Sequence, residues 1–329
     1  MKNILIIGTG GTIASKKTAE GLAPELTSKE LLSYLPAAAS FCTVDCVQVF
    51  NLDSTNVRPG HWLLLAETIR ENYGKYDGFV ITHGTDTMAY TAAGLSYLVQ
   101  NSRKPIVLTG AQKAIVEEDT DAKRNLMDAL IYACDEESHY VSIVFAGAVI
   151  CGTRARKNYS KRLMAFGSIN FPELARVQDG RVVRYVPEAY SGEAAFYDYL
   201  NPNVGLLKLT PGVNNDVMRY LIDTYDGLVI ESFGVGGLPE YSDFYQQIKR
   251  ALAQGKFIVM TTQVPNEGSD LSLYRVGHVL KNSASILEAH DMCSEAVLAK
   301  LMWILGETQD FREAEKLFYR PVHHDILYI

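Results

Sequence analysis

Short apolar runs alternate with segments of helical periodicity along most of this chain. In the first half, the strand-like runs are NILIIG, TVDCVQVFNLDS, DGFVITHG, KPIVLTG and VSIVFAG, and the helix-like segments between them are TSKELLSYL, PGHWLLLAETIRENY, DTMAYTAAGLSYLVQN and DAKRNLMDALIYACDE. Nearly continuous apolar strands separated by helices are typical of a mostly parallel sheet with helices on both faces. The pattern therefore predicts an α/β fold for this half of the chain.

The alternation is interrupted in the middle of the chain. The segment VPEAYSGEAAFYDYLNPN mixes proline, glycine and acidic residues without a clear period, and beyond it the alternation restarts with VGLLKLTPG and GLVIESFGVGG. A length of 329 residues also suggests about two domains. We therefore predict a larger N-terminal α/β domain over residues 1–186, a linker over 187–203 and a smaller C-terminal α/β domain over 204–329.

Composition and charge narrow the possible partners. Hydrophobic residues make up 47% and charged residues 21% of the chain, and no apolar run approaches the roughly 18–20 residues of a membrane span. The formal net charge of -7 disfavours binding to nucleic acid, which usually needs a basic face. The N-terminus lacks the pattern of a secretory signal peptide. We predict a cytoplasmic protein with a small-molecule partner, no nucleic acid and no membrane.

Polar residues stand directly after four of the apolar runs. They are Thr12 after the first run, Asp53, Ser54 and Thr55 after the second, Thr82 to Asp86 after the third, and Thr109, Gly110, Ala111 and Gln112 after the fourth. In open α/β sheets, ligands bind at the carboxyl ends of the strands. These hydroxyls and carboxylates are thus predicted to lie along one edge of the sheet.

The first of these segments, GTGGT, does not fit a nucleotide-binding loop. A dinucleotide fingerprint needs glycine at its first, third and sixth positions, and counting from Gly8 the sixth position is Ile13. A P-loop would end in Gly-Lys-Ser/Thr, which is absent here. A glycine-lined turn that presents Thr12 remains, and the residues alone leave open whether Thr12 is a nucleophile or only caps the turn.

The segment YDGFVITHGTDTMAYTA has features of an amino-acid site. The strand-like FVIT is followed by Thr85, Asp86 and Thr87 at the predicted start of a helix. Free amides at a helix N-terminus suit a carboxylate, and Asp86 suits an ammonium group. The alternative is that Thr85 or Asp86 is simply the N-cap, a common place for these residue types.

GTGGTIAS and YDGFVITHGTDTMAY together resemble the two signatures of the bacterial-type L-asparaginase family. The segments NLDSTNVRP, PIVLTGAQ, GTRARKNYSKRLMAFGSINFPELA, SFGVGGLP and MTTQ also resemble parts of that family, so that the resemblance extends over nearly the whole chain. Without a signal peptide, the chain is more similar to the cytoplasmic (type I) branch. The resemblance implies a larger N-terminal catalytic domain and hydrolysis of L-asparagine to L-aspartate and ammonia, without a cofactor or a metal.

The resemblance also implies roles for individual residues. Thr12 matches the nucleophile, and Thr85, Asp86 and Lys157 match a second catalytic group. The positions matching substrate-binding residues are Asp53, Ser54, Thr55, Gly84, Thr85, Asp86 and Ala111. A lysine base would need burial to lower its pKa, whereas close pairing with Asp86 would keep Lys157 protonated. Without the resemblance, Lys157 in RARKNYSKR would be interpreted as a solvated surface residue. A homodimer or homotetramer is also implied.

Several positions depart from the family pattern. Many members have a tyrosine in the mobile loop after the glycine turn, but here residues 16–30 contain none and Leu22 stands near its place. Some cytoplasmic relatives bind asparagine at an effector site through an arginine, an asparagine and a cysteine. Glu231, Gly237 and Val264 stand at about these places, and we therefore expect no such regulation. His83 is expected to be structural, and His323-His324-Asp325 is not expected to bind a metal.

The sequence leaves two alternatives to an asparaginase open. One is the related ammonia-releasing subunit of a tRNA-dependent amidotransferase, which is disfavoured by the acidic charge and by a first strand that begins at Asn3, without room for that subunit's additional N-terminal domain. The other is a non-catalytic sensor of an amino acid. A sensor would not need a nucleophile, and this disfavours the second alternative.

Overall fold

The computed structural model describes residues 1–18, 21–188, 190, 192–239, 243–273 and 286–327, without the side chains of residues 17, 18 and 21–24. The chain forms two compact units, Met1–Asp198 and Tyr199–Ile329. The division between them falls within the segment 187–203 that we interpret as a linker. No helix among the described residues is long and apolar enough to cross a membrane.

The first unit contains fourteen strands and four helices in its described part. The strands are β1 (Lys2–Gly10), β2 (Ser15–Thr18), β3 (Gly21–Pro24), β4 (Cys42–Leu52), β5 (Gly78–Thr82), β6 (Val99–Gln100), β7 (Ile106–Thr109), β8 (Val141–Phe145), β9 (Ala148–Cys151), β10 (Ala155–Lys157), β11 (Phe166–Ser168), β12 (Ala175–Gln178), β13 (Arg181–Arg184) and β14 (Ala195–Phe196). The helices are α1 (Ser28–Ser33), α2 (Pro59–Asn72), α3 (Met88–Leu98) and α4 (Ala122–Cys134).

The main sheet has eight strands in the order β13-β12-β9-β8-β7-β5-β1-β4. Strands β4, β1, β5, β7 and β8 are parallel, while β9, β12 and β13 add antiparallel pairings that the sequence pattern does not indicate. Within the parallel part, β1 lies between β4 and β5, so the strand order reverses beside β1. Ligands of open α/β sheets bind at the carboxyl ends of the strands where the order reverses. The topology therefore points to the loops after β1 and β5.

Apolar side chains on both faces of the sheet hold the helices in place. On one face, Ile6 and Val80 belong to the same buried cluster as Leu126 and Leu130 of α4. On the other face, the fully buried ring of Phe79 stacks on Tyr73, the residue directly after α2, with 6.1 Å between ring centroids. Burial of one such side chain contributes about 1.5–3 kcal/mol. The predicted parallel sheet with helices on both faces is confirmed.

The second unit is a smaller α/β layer structure. Its strands are β15 (Val204–Lys208), β16 (Gly227–Ser232), β17 (Phe257–Thr262) and β18 (Leu287–Glu288), and its described helices are α5 (Asn215–Thr224), α6 (Phe244–Ala253), α7 (Ser294–Glu307) and α8 (Phe311–Tyr319). The four strands are parallel in sequence order. Ile230 and Met260 form a core with Met218 of α5 and Ile248 of α6. The predicted smaller α/β part is confirmed.

In the segment His323-His324-Asp325, the Asp325 side chain forms an ion pair with Lys300 of α7. Asp325 and Lys300 are both fully buried and form an ion pair of 2.6 Å, and the second carboxylate oxygen of Asp325 accepts a hydrogen bond from the Val322 amide. A buried carboxylate requires such partners. The described residues contain no group of three or more side chains arranged to hold a metal ion.

Asp128 of α4 makes stability depend on pH. Burial raises the pKa of Asp128 to about 6, and the neighbouring charge of Arg124 only partly opposes this rise. Since the pKa of an unfolded aspartate is about 3.9, the folded chain binds the extra proton between these values, and stability falls as pH rises through this window. We expect Asp128→Asn to raise the free energy of unfolding by roughly 2 kcal/mol above pH 7.

Melting temperatures of the two chains at several pH values test this expectation. The stabilisation by Asp128→Asn should shrink as pH falls and disappear well below the unfolded pKa of about 3.9, where the carboxyl is neutral in both states. Asp179→Asn, an exposed change in the turn between β12 and β13, is the matched control and should show no such trend. An increase in melting temperature for Asp128→Asn that is equal at both ends of the pH range would contradict a raised pKa of Asp128 as the cause.

Candidate active site

Loops at the carboxyl ends of β1, β4 and β5 are in direct contact. Gly11 has a φ of 78°, and a Cβ atom at this position would lie 2.3 Å from the Gly84 amide nitrogen. A Cβ atom on Gly84 would lie 2.7 Å from Oγ of Ser54. Only glycine permits both approaches. The two glycines thereby bring their neighbours Thr12 and Thr85 to the same part of the sheet edge as Ser54.

Thr12 begins a short 3₁₀ turn, Thr12–Ala14, and is partly exposed. The turn is held by the backbone of the preceding residue: the Gly11 amide donates to the Leu52 carbonyl at 2.9 Å, and the Gly11 carbonyl accepts from the Ala14 amide at 3.0 Å. Gly11 is the N-cap, and no side chain caps this turn. In the part of the chain that the structure describes, the Thr12 hydroxyl makes no hydrogen bond. Thr12 therefore does not cap the turn.

Ser54 connects the loop after β4 to the loop after β5. The Asp86 amide donates to Ser54 Oγ at 3.2 Å, and the Thr87 hydroxyl donates to the Ser54 carbonyl at 2.8 Å. Because Ser54 Oγ accepts here, its own hydroxyl proton remains available to donate to an anion. Asp53 shapes the turn, since its carboxylate accepts from both the amide and the hydroxyl of Thr55 at 2.8 Å.

Helix α3 begins later than the sequence predicts. Its first residue is Met88 and its N-cap is Thr87, whose side chain makes no capping hydrogen bond. Thr85 and Asp86 precede the helix and hydrogen-bond elsewhere. The interpretation of Thr85 or Asp86 as a simple N-cap is therefore wrong.

Lys157 joins Thr85 to Asp86. Its Nζ atom donates to Thr85 Oγ1 at 2.7 Å and to Asp86 Oδ1 at 2.6 Å. Lys157 ends β10, and its side chain is 16% exposed, whereas that of Asp86 is 57% exposed. Lys157 is thus not a solvated surface residue, and the carboxylate of Asp86 remains accessible to a small cation. The Lys157 amine thus contacts a hydroxyl and a carboxylate at the same time.

His83 is buried beneath the loop after β5 and hydrogen-bonds to Gly84 and Thr91. Its ring is completely buried, with Nδ1 at 2.7 Å from the Gly84 carbonyl and Nε2 at 3.0 Å from the Thr91 hydroxyl. Since a carbonyl can only accept, Nδ1 carries the proton and Nε2 accepts from Thr91. Burial lowers the pKa of His83 to about 4, which keeps the ring neutral at pH 7. His83 is buried and hydrogen-bonded next to Gly84, as expected, and its purely structural role stays a prediction.

The loop after β7 adds Gln112, which the sequence places at the sheet edge without a specific role. Ala111 is fully buried, and the next side chain, Gln112, accepts a hydrogen bond from the Thr85 hydroxyl at 3.2 Å. The Gln112 amide also donates to the carbonyls of Ser160 and Arg162 at 3.2 and 3.0 Å. Its place directly after a strand was the available signal, but the partners of its side chain could not be inferred.

The positions that depart from the family pattern lie in two places. The side chain of Leu22 is outside the described part of the loop, although β2 and β3 pair there as an antiparallel hairpin. In the second unit, Glu231 is buried and accepts from the Ser294 hydroxyl at 2.5 Å. Gly237 pairs with Phe233 in an isolated bridge, and Val264 is 45% exposed. The expectation that no effector site is present stays a prediction.

Comparisons with known proteins agree with this geometry. The family model "Asparaginase, N-terminal" matches residues 3–189, and the model "Glutaminase/Asparaginase C-terminal domain" matches residues 203–318. An L-asparaginase of Thermococcus kodakarensis is 39% identical over 325 residues, which are 98% of each protein. A glutamyl-tRNA(Gln) amidotransferase subunit from Pyrococcus furiosus is 36% identical over 96% of this chain and 75% of that protein.

Two solved structures have the same fold over the whole chain. The structure of the thermostable L-asparaginase from Thermococcus kodakarensis superposes with a TM-score of 0.92 at 38% identity, covering 99% of this chain and 100% of that one. L-asparaginase I from Vibrio cholerae superposes with a TM-score of 0.89 at 29% identity, covering 99% of both chains.

Proposed function

Because the chain belongs to the asparaginase family, we propose that it hydrolyses L-asparagine to L-aspartate and ammonia with Thr12 as the nucleophile. The observation that carries this proposal is the contact of Lys157 with both Thr85 and Asp86, beside the glycine turn that presents Thr12. A hydroxyl without a hydrogen bond among the described residues, next to a paired lysine and carboxylate, is an arrangement for acyl transfer.

The same loops offer complementary groups for an amino acid. The Ser54 hydroxyl can donate to the α-carboxylate of the substrate, and the exposed carboxylate of Asp86 can accept from its ammonium group. Asp53 and Thr55 hold the turn that carries Ser54. We assign the backbone of Gly84 and Ala111 to the walls of this pocket, where a side chain on Gly84 would displace Ser54.

The reaction proceeds in two acyl-transfer steps. The Thr12 oxygen attacks the side-chain amide carbon of asparagine, the C–N bond breaks, and the amide nitrogen leaves as ammonia with the Thr12 proton. The β-aspartyl ester of Thr12 is then attacked by water, which restores the threonine hydroxyl and releases L-aspartate. Thr85 and Lys157 supply a hydroxyl and an ammonium group beside these transfers, which require proton movement at each step.

Release of ammonia from the purified chain tests the proposal. L-asparagine should yield ammonia and L-aspartate in equal amounts without an added tRNA or partner protein. Release that appears only with a glutamyl-tRNA and a second protein would favour the amidotransferase alternative, which the similarity to the Pyrococcus furiosus amidotransferase keeps open. Binding of asparagine without any release would favour the amino-acid sensor. The cytoplasmic location and the homodimer or homotetramer stay predictions.

Initial rates should follow a hyperbolic dependence on asparagine concentration. The reason is that Glu231 and Val264 occupy positions where regulated relatives have an arginine and a cysteine, so an effector site lacks those groups. Rates measured over a wide range of asparagine concentrations give the Hill coefficient directly. A value clearly above one would contradict this expectation, since a single class of independent sites gives one.

A further inference from the structure

The side-chain amide of Gln112 has an orientation that its neighbours determine. Its nitrogen atom lies 3.2 Å from the Ser160 carbonyl and 3.0 Å from the Arg162 carbonyl, and its oxygen atom lies 3.2 Å from Thr85 Oγ1. Carbonyl oxygens can only accept hydrogen bonds, so the NH₂ group must face the two carbonyls. A flipped amide would place its oxygen, an acceptor, against these two carbonyl acceptors. The Gln112 oxygen must therefore face Thr85.

This orientation gives the hydrogen bonds around Thr85 a single direction. With an amide oxygen as its neighbour, the Thr85 hydroxyl must donate its proton to Gln112, and its lone pair then accepts from Lys157 at 2.7 Å. Hydrogen bonds therefore run from Lys157 through Thr85 and Gln112 to the backbone between β10 and β11. Without Gln112, the Thr85 hydroxyl could rotate its proton toward other acceptors.

The backbone of Gln112 is itself held firmly. The carboxylate of Asp121 accepts from the Gln112 amide at 3.0 and 3.1 Å and from the Lys113 amide at 3.0 Å. Asn125 of α4 donates to the same carboxylate at 3.1 Å and to the Gly110 carbonyl at 3.0 Å. The loop after β7 is thus fixed to the start of α4, and Gln112 projects from a rigid support toward Thr85.

The side-chain amide of Gln112 also hydrogen-bonds to the hairpin that carries Lys157. Lys157 is the last residue of β10, and it pairs with Phe166 of β11. The two carbonyls that Gln112 binds, Ser160 and Arg162, belong to the connection between these strands. One side chain therefore contacts both Thr85 and the loop that follows Lys157.

We propose that Gln112 is a positioning residue for the reaction, which orients the Thr85 hydroxyl and holds the β10–β11 hairpin so that Lys157 stays in contact with it. This inference rests on the proposed function. Gln112 acts through Thr85 and Lys157 and forms no bond in the reaction. Its loss should therefore change the rate of the chemical steps more than the binding of asparagine.

Gln112→Met, which keeps the length of the side chain and removes its hydrogen bonds, tests this role. We expect kcat to fall about 10- to 100-fold, the effect of losing hydrogen bonds that order a charged group, while KM for asparagine changes by less than about threefold. Gln100→Met is the matched control, because the buried Gln100 amide also donates to a backbone carbonyl, that of Tyr97 at 3.0 Å. It should leave kcat unchanged.

Gln112→Glu adds a readout that a purely structural role would not affect. As a neutral acid, the new side chain can accept from Thr85 and donate to one carbonyl, whereas the ionised form can donate to neither carbonyl. We expect kcat of this variant to fall as pH rises through the titration of the new carboxyl. The unchanged chain should lack this limb of the pH profile.

The outcomes separate this inference from the proposed function. If the unchanged chain releases no ammonia from asparagine, both fail. If the unchanged chain is active and Gln112→Met retains its kcat, or loses rate only through a higher KM and a lower melting temperature, the positioning role alone is overturned. A fall in kcat at constant KM, together with the new pH limb in Gln112→Glu, supports it.

Discussion

Thr12→Ala is expected to remove the release of ammonia from L-asparagine almost completely, with a loss in kcat of at least about 10³-fold. The change deletes the oxygen that forms the proposed ester, and alanine has no atom that can replace it. The Thr12 hydroxyl makes no hydrogen bond within the described part of the chain, and its turn is held by backbone hydrogen bonds of Gly11. The variant should therefore fold with an unchanged melting temperature and still bind asparagine.

Thr12→Ser is the matched control for this loss. Serine keeps the hydroxyl on the same turn, so it should retain measurable turnover, reduced by the freer rotation of its side chain. The comparison requires kcat, asparagine affinity and melting temperature for all three chains. Turnover by Thr12→Ala near that of the unchanged chain would show that Thr12 is not the nucleophile.

Lys157→Met should lower kcat/KM for asparagine by about 10²- to 10³-fold, within the range for loss of a group that assists proton transfer. Methionine keeps the packing of the side chain but removes the donor to Thr85 Oγ1 and to Asp86 Oδ1. Thr85 then loses one of its two partners, and Asp86 loses the charge that balances its carboxylate. The measurement is the pH profile of kcat and of KM for both chains.

Lys161→Met is the control for charge in the same segment. Lys161 is exposed in the connection between β10 and β11, so its loss should leave kcat and KM unchanged at moderate ionic strength. Equal losses in the two variants would indicate that only the overall positive charge of the hairpin matters. A Lys157→Met enzyme with nearly normal turnover would exclude Lys157 from the reaction.

The alternation of apolar and polar residues was sufficient to predict the parallel sheet and its helices, because both depend on local periodicity. The order of the strands was not predictable in this way. Placing β1 between β4 and β5 depends on pairings between segments distant in the chain, such as that of Ile4 with Gly78. The short antiparallel strands after β8 also lack a clear period and were missed.

For the site too, residues next to strand ends could be predicted, whereas contacts between residues far apart in the sequence could not. The glycine turn and the position of Thr85 after β5 could be read from the sequence, since strand ends converge at one edge of a parallel sheet. Lys157 could not be placed from its basic surroundings, because its partner Asp86 is 71 residues away. The start of α3 at Met88 was mispredicted because Thr85 and Asp86 hydrogen-bond to partners outside this helix instead of capping it.

The role of Thr12 as the nucleophile can be tested by trapping its ester. The chain is mixed with L-asparagine, quenched in acid within the first turnovers and digested, and the peptide that contains Thr12 is examined by mass spectrometry. The proposed mechanism predicts a β-aspartyl group on this peptide, located on Thr12 by fragmentation and absent from Thr12→Ala. Rapid turnover with the group found on another residue, Thr85 for instance, would contradict the assignment of the nucleophile.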